Sequence, residues 1–420
     1  MLAGKGFPNR NLTRDEIAEI VSHAAQHLQI DGKRVLVIIP DGTRTMPMPL
    51  MFDLLQQEFG ARAAACDYLV ALGTHPHMRD AQLSTLVGKP VVNGLCGDTK
   101  VLNHGWDLPD TFRELGVIPK DEVTRISGGL LEEAIPVRIN RMIFDYDQVV
   151  ICGPVFPHEV VGFSGGNKYL FPGIGGPEII GLTHWLGALI GSFEVIGTET
   201  TPVREIIDRA ADLVKVPVAC FSLVVAEEEV AGLYFGEAKE AWRAAAELSA
   251  QKHIVLVDQP FERVLSVMPA LYEDLWTAAK GMYKVEPAIA DGGEVVIYAP
   301  HISEVSYTHG ADIDKIGYHC REYFTAQWEK FKGSPRSVLA HSTHLRGKGS
   351  FDAVTGRECS RIKVTLATGI PEERCALLNL GYCDPAVVDL NQWRDREEEG
   401  IRLIPRAGET LYRLRKPTSS

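Results

Sequence analysis

Residues 34–44 read RVLVIIPDGTR. An unbroken run of aliphatic and β-branched residues, without polar alternation, is the pattern of a strand buried on both faces of a parallel sheet. It stops at Pro40 and passes directly into Asp41, Gly42, Thr43 and Arg44. The same arrangement recurs twice. Residues 67–72 (DYLVAL) run into Gly73, Thr74, His75, Pro76 and His77, and 148–152 (QVVIC) run into Gly153, Pro154, Val155, Phe156, Pro157 and His158. Around them, 15–28 (DEIAEIVSHAAQHL), 49–59 and 79–87 place apolar residues at helical spacing, with Thr13 positioned to cap the first. Strand and helix patterns in alternation predict an α/β domain with a mainly parallel sheet.

In open parallel sheets, ligands gather beyond the C-terminal strand ends. The three strand ends therefore predict one polar edge carrying Asp41, Thr43, Arg44, His75 and His158. Each loop alone is better read as an ordinary turn with solvated side chains. Three together, two of them with histidine, favour a site.

Glycine is concentrated in one place. Of 39 glycines, eight fall within the 26 residues 162–187, GFSGGNKYLFPGIGGPEIIGLTHWLG. Such loops allow positive φ and close approach of backbone to a ligand, and their N–H groups can hold a phosphate. The segment is neither a Walker A loop nor a GxGxxG turn, and glycine-rich segments also serve as plain turns. Lys168 lies beside Tyr169, Leu170 and Phe171, where burial would favour an amine nucleophile. His184 falls in a helix-compatible apolar run, where a lone histidine is more often a core residue.

The second half reads as a smaller α/β domain. Residues 216–237 predict a hairpin around an acidic turn. Beyond it come strand patterns at 263–269 (RVLSVMP), 294–300 (EVVIYAP), 337–341 (SVLAH) and 361–369 (RIKVTLATG), with helices near 271–283 and 321–331. The expected division is 1–258, rejoined by about 402–420, and 259–401, with the active site in the cleft between two α/β domains.

Composition sets outer limits. The 420 residues are 45% hydrophobic and 23% charged, which excludes a disordered chain. The net charge of −12 disfavours nucleic acid as a partner. The first twenty residues lack a signal-peptide pattern, no run is long and apolar enough for a membrane span, and the eight cysteines form no CxxC. A cytoplasmic protein with reduced thiols is the expectation. Cys375 and Cys383 lack the second ligand pair of a zinc site.

Taken together, DGTR at 41–44, GTHP at 73–76, PHEVVGFSGGNKYLFPGIGG at 157–176 and Thr183-His184 resemble the nickel-pincer lactate racemase family. The spacing of ten residues from His158 to Lys168 and sixteen to His184 is similar to that family's, and WTAAK at 276–280 resembles the segment opening its second domain. The resemblance implies racemisation or epimerisation of a 2-hydroxy acid through a 2-keto acid. It implies a nickel-pincer nucleotide, a pyridinium-3,5-bisthiocarboxylic acid mononucleotide, joined covalently to Lys168, with His184 as the nickel ligand. His75 and His158 would be the acid/base pair. Asp41, Thr43, Gly165 and Gly166 would support the cofactor, Arg44 and Lys280 would neutralise substrate carboxylate or cofactor phosphate, and Trp276 and Thr277 would shape the substrate pocket. Enzymes of cofactor synthesis would be transient partners.

Some features depart from the family or leave alternatives open. His77 lies two residues from His75, which is preferred because it directly follows Gly-Thr. Trp276-Thr277 stands where the lactate enzymes have Tyr-Gln. The segment 341–347 (HSTHLRG) has no role in a lactate enzyme, and is either a polar loop or a set of donors for a larger hydroxy acid. Trp328 is a further match to a family tryptophan near the site. The alternatives to an isomerase are a non-catalytic nucleotide- or phosphate-binding protein and a cofactor carrier of the same fold.

Overall fold

The structure is a computed structural model, which describes residues 2–415. The chain divides into two compact units. The first is Met1–Phe156, Phe163–Thr183 and Arg204–Lys252; the second is Pro157–Gly162, His184–Val203 and His253–Ser420.

The first unit is built on an eight-stranded sheet. Its strands are β1 (Ala3–Gly6), β2 (Arg34–Ile39), β3 (Ala65–Val70), β4 (Leu95–Cys96), β5 (Thr99–Asn103), β6 (Gln148–Pro154), β7 (Val218–Ala226) and β8 (Glu229–Gly236). They lie in the order β1-β8-β7-β6-β2-β3-β5-β4. The run β7-β6-β2-β3-β5 is parallel, and the strands at each edge are antiparallel. The apolar run at 34–39 pairs on both sides, and Val35 to Ile39 are fully buried on both faces. Each such side chain contributes roughly 1.5–3 kcal/mol of burial free energy.

Helices cover the sheet. In α1 (Arg14–His27) the Thr13 side chain accepts from the Glu16 N–H, and the Glu16 carboxylate accepts from the Thr13 N–H. This reciprocal cap fixes the start, and Ile17, Ile20, Val21, Ala24 and Ala25 form the buried stripe. Next come α2 (Met48–Leu55), extended by a wider helical turn over Gln56–Gly60, and α3 (Asp80–Val87). The expected hairpin is β7–β8, turning through Glu227 and Glu228 with φ of +53° and +73°. Two successive positive φ angles match the twist of the flanking strands.

The second unit holds a five-stranded, all-parallel sheet. Its strands are β9 (Phe261–Val267), β10 (Ile289–Ala299), β11 (Lys363–Thr368), β12 (Gly381–Tyr382) and β13 (Ile401–Ile404), in the order β12-β11-β10-β9-β13. Two expectations are corrected here. The tail at 402–420 does not return to the first domain: β13 pairs with β9, and Leu411–Leu414 pairs with Ile254–Val257, all within the second unit. Residues 416–420 of it lie outside the described residues. Residues 337–341 are not a strand. They lie in a helix, Arg336–Arg346, entered after Pro335, with Val338, Leu339, Ser342 and Leu345 buried. A five-residue apolar run fits either element, and the longer helical spacing decides.

No helix among the described residues is long and apolar enough to cross a membrane. All eight cysteines are unpaired.

Candidate active site

In the first unit, β2 and β3 are neighbours, and their C-terminal loops meet. Asp41 is buried and His75 half-buried, with Nδ1 of His75 2.5 Å from Oδ2 of Asp41. The other Asp41 oxygen accepts from the Thr43 N–H at 3.1 Å and from its hydroxyl at 2.6 Å. Arg44 Nη1 in turn donates to the Thr43 hydroxyl at 2.8 Å. Burial opposes ionisation of Asp41, but His75, Arg44 and Thr43 outweigh it and hold the carboxyl well below the usual range. An ionised Asp41 accepts the Nδ1 proton of His75, which leaves the Nε2 lone pair as the basic position.

Asp41 and Thr43, both expected on the cofactor, are bonded to each other, and Asp41 also orients the His75 ring. His77 is paired with Asp107 at 3.0 Å and is largely exposed, so His75 is the histidine built into the strand-end network. The His75 carbonyl also accepts from the Trp106 indole at 2.8 Å.

The glycine-rich loop is stitched to the same edge. The Gly73 N–H donates to the Gly173 carbonyl at 2.9 Å, and Gly176 N–H donates to Arg138 O at 2.9 Å. Lys168 sits half-buried in a short 3₁₀ turn, Gly166–Tyr169, between buried Asn167 and Tyr169. Tyr169 packs so tightly on β6 that a Cβ at Gly153 would lie 1.9 Å from its hydroxyl. Gly165 and Gly166 have φ of +84° and +59°, and a Cβ on Gly166 would meet Trp242 at 2.9 Å. Their glycine identity thus serves the turn and its seat on Trp242.

Sequence reasoning missed the brace beneath this loop. Arg204, in α5 (Pro202–Ala211), is buried, stacks on Trp242 at 4.2 Å, and donates to the carbonyls of Phe163 and Gly165. The Trp242 indole donates to Ser164 O at 2.8 Å. Burial lowers the Arg204 guanidinium to about 10, with Asp208 opposing the shift. A buried arginine on an amphipathic helix gave no sequence signal, because a surface arginine has the same spacing.

The second unit carries the remaining candidates. His158 is buried, and its Nδ1 accepts from the Val160 N–H at 3.1 Å while lying 3.2 Å from Glu159. The Val160 contact assigns the neutral ring's proton to Nε2. The carbonyl of Pro157, just before it, accepts from the buried Lys284 ammonium at 2.6 Å. His184 is half-buried on α4 (Pro177–Ile190), next to Trp185, which stacks on Trp328 at 5.5 Å.

Trp276 lies between two histidines, stacked on His341 at 3.9 Å and tilted against His309 at 4.6 Å. His341 Nε2 is 3.3 Å from the Tyr318 hydroxyl. Burial holds His341 well below its ordinary value, reinforced by nearby His344, His309, Lys280 and His184. Lys280 lies over the Tyr272 ring at 4.4 Å and donates to Thr277 O. The Thr277 hydroxyl, expected at the substrate, donates to Asp274 at 2.8 Å, beside the helix cap that Asp274 forms by accepting the Thr277 N–H. His309 was not among the sequence candidates, and His341 entered only as part of the segment 341–347.

Among the described residues, no three His, Cys, Asp or Glu side chains are gathered as metal ligands. A metal at His184 would therefore need to bring its other donors.

The family model of the lactate racemase N-terminal domain matches residues 14–192. Lactate racemase of Thermoanaerobacterium thermosaccharolyticum is 23% identical over 321 residues, 75% of this chain and 67% of that protein. Lactate racemase of Lactiplantibacillus plantarum is 24% identical over 293 residues, 67% of this chain and 65% of that protein. The chain thus spans about two thirds of the length of these relatives. Among solved structures, a Thermotoga maritima protein is similar with a TM-score of 0.88 at 34% identity, over 96% of this chain and 99% of that one. The lactate racemase apoprotein of T. thermosaccharolyticum shares the fold, with a TM-score of 0.70 at 19% identity over 94% and 92% of the two chains. The strand-end motifs lie inside the matched region: residues 14–192 belong to the lactate racemase N-terminal domain family, and the chain as a whole is similar to lactate racemases.

Proposed function

We propose that this protein is an isomerase, a racemase or epimerase of a 2-hydroxy acid that works by reversible hydride transfer at C2. The observation that carries the proposal is the Asp41–His75 pair at the C-terminal sheet edge, bonded through Gly73 to the loop that presents Lys168. A pocket that only bound a nucleotide would have no use for an oriented general base.

The donor set fits a nickel-pincer nucleotide. Lys168 would hold it covalently and His184 would ligate the nickel, the remaining donors coming with the cofactor, since no set of three protein donors is gathered there among the described residues. When bound, this group supplies the hydride acceptor and donor. The protein's own residues handle binding and protons. His75, with Nδ1–H held by Asp41, takes the substrate hydroxyl proton at Nε2. His158 serves the opposite hand of the substrate, its ring bounded by the Val160 N–H and the Glu159 carboxylate. Arg44 and Lys280 would neutralise the carboxylate of the substrate or the phosphate of the cofactor. The keto acid formed by loss of hydride is planar at C2, so reduction from either face gives either configuration.

Intact-mass measurement of protein made together with the cofactor-synthesis enzymes tests this. A nickel-bearing adduct present in the wild type and missing in Lys168→Ala is expected. Absence of any adduct on the wild type overturns the cofactor assignment.

A further inference from the structure

One helix carries two buried imidazoles that the proposed reaction does not use. In α6, the helix Arg336–Arg346, His341 and His344 lie one turn apart, 7% and 3% exposed. His341 is close enough to His184 of α4 for each to oppose the other's charge. One turn further along each helix, on the faces holding these two histidines, a cavity of about 250 Å³ opens. Ala188 of α4 and His344 and Thr343 of α6 line it, with Ser192, Arg321 and Lys348. The cavity therefore lies one turn beyond His184 and His341 on the same two helices.

The lining specifies the chemistry of an occupant. His344 Nε2 is fully buried with no hydrogen-bond partner among the described residues. A buried polar atom left unpaired is costly, and a ligand hydroxyl would satisfy it. Lys348 and Arg321 are already matched, to Glu194 and Glu322, each at 2.5 Å. The cavity has no uncompensated cation to hold a second carboxylate or a phosphate. Neutral imidazole, threonine and serine remain, and these pair with hydroxyl groups. A lactate methyl would leave the His344 nitrogen unpaired, whereas the Thr343 hydroxyl, which donates to the Ala340 carbonyl at 2.9 Å, can still accept from a ligand hydroxyl.

We propose that the substrate is a polyhydroxy 2-hydroxy acid, an aldonate of about five or six carbons, whose hydroxylated tail runs from C2 into the cavity at His344 and Thr343. This rests on the proposed function and adds the substrate class. A site built around hydroxyl groups discriminates steeply against an analogue lacking them.

The test uses protein loaded with nickel cofactor, given a single epimer of a six-carbon aldonate or a single enantiomer of lactate and followed by chiral chromatography. The expected kcat/KM for the aldonate exceeds that for lactate by at least about a hundredfold. Ala188→Leu, which fills the cavity, should raise the aldonate KM at least about tenfold at unchanged melting temperature. Preference for lactate, or an aldonate KM indifferent to Ala188→Leu, overturns the inference and leaves the proposed function standing. Calorimetry of the unloaded protein with the aldonate separates the remaining cases. Binding that Ala188→Leu weakens, with no turnover of any 2-hydroxy acid by loaded protein, overturns the function and keeps the tail site. If a loaded protein that turns over neither acid also shows no aldonate binding, both fall.

Discussion

At the scale of single residues, Asp41 decides how His75 behaves. Asn at position 41 keeps the shape but replaces an acceptor-only carboxylate with an amide that also donates, so the Nδ1–H tautomer loses its anchor. Asp41→Asn should lower kcat about a hundredfold or more with KM little changed, measured on loaded protein. His77→Ala should change kcat less than about twofold, because His77 is occupied with Asp107 at the surface. A large loss in His77→Ala would instead make His77 the base. The sequence motif singled out all of Asp41, Thr43, Arg44 and His75 but did not reveal that Asp41 orients His75. Motifs list residues, whereas the side-chain bond between strand ends 34 positions apart exists only in the fold. His341 shows the same limit: its position was noted, yet its stacking on Trp276 depends on a helix face that a five-residue reading could not define.

At the scale of elements, the site loop depends on close seating. Tyr169 lies where a Gly153 side chain would stand, so Gly153→Ala must displace the ring or the strand. Overpacking of this kind costs about 1–3 kcal/mol, visible as a lower denaturant midpoint. Because Tyr169 directly follows Lys168, the yield of nickel adduct should fall as well. Adduct formation at wild-type yield would show that the Lys168 loop does not rely on this contact. The elements themselves were largely legible. The apolar runs at 34–39, 65–70 and 148–154, the Thr13 cap and the β7–β8 hairpin follow from local chemistry. The helix at 336–346 was not, because a short apolar run has no period of its own. Nor was the placement of β13, since strand pairing between residues 263–266 and 401–404 spans over a hundred positions.

At the scale of the whole molecule, two buried histidines link stability to acid. Burial holds His104 and His344 at about 4. Their unfolded-state value is about 6.5, so below that pH the unfolded chain binds protons the folded chain refuses. Stability from this source is complete above about pH 6.5, falls as pH drops, and reaches its floor near pH 4. By pH 5 each contributes a loss of up to about 2 kcal/mol. Denaturant midpoints between pH 7 and 5 should fall accordingly, and the fall should shrink in the His104→Gln variant. A midpoint independent of pH in this window would contradict the buried, neutral assignment.

The central claim is that configuration at C2 is exchanged by hydride transfer and return, with histidines moving only the hydroxyl proton. Incubating loaded protein with one stereoisomer of a 2-hydroxy acid in D₂O tests this directly, reading configuration by chiral chromatography and C2 label by mass spectrometry. The account predicts loss of configuration with the original hydrogen retained at C2. Deuterium appearing at C2 would instead mean that a histidine removes the C2 proton itself, and that result would contradict the account.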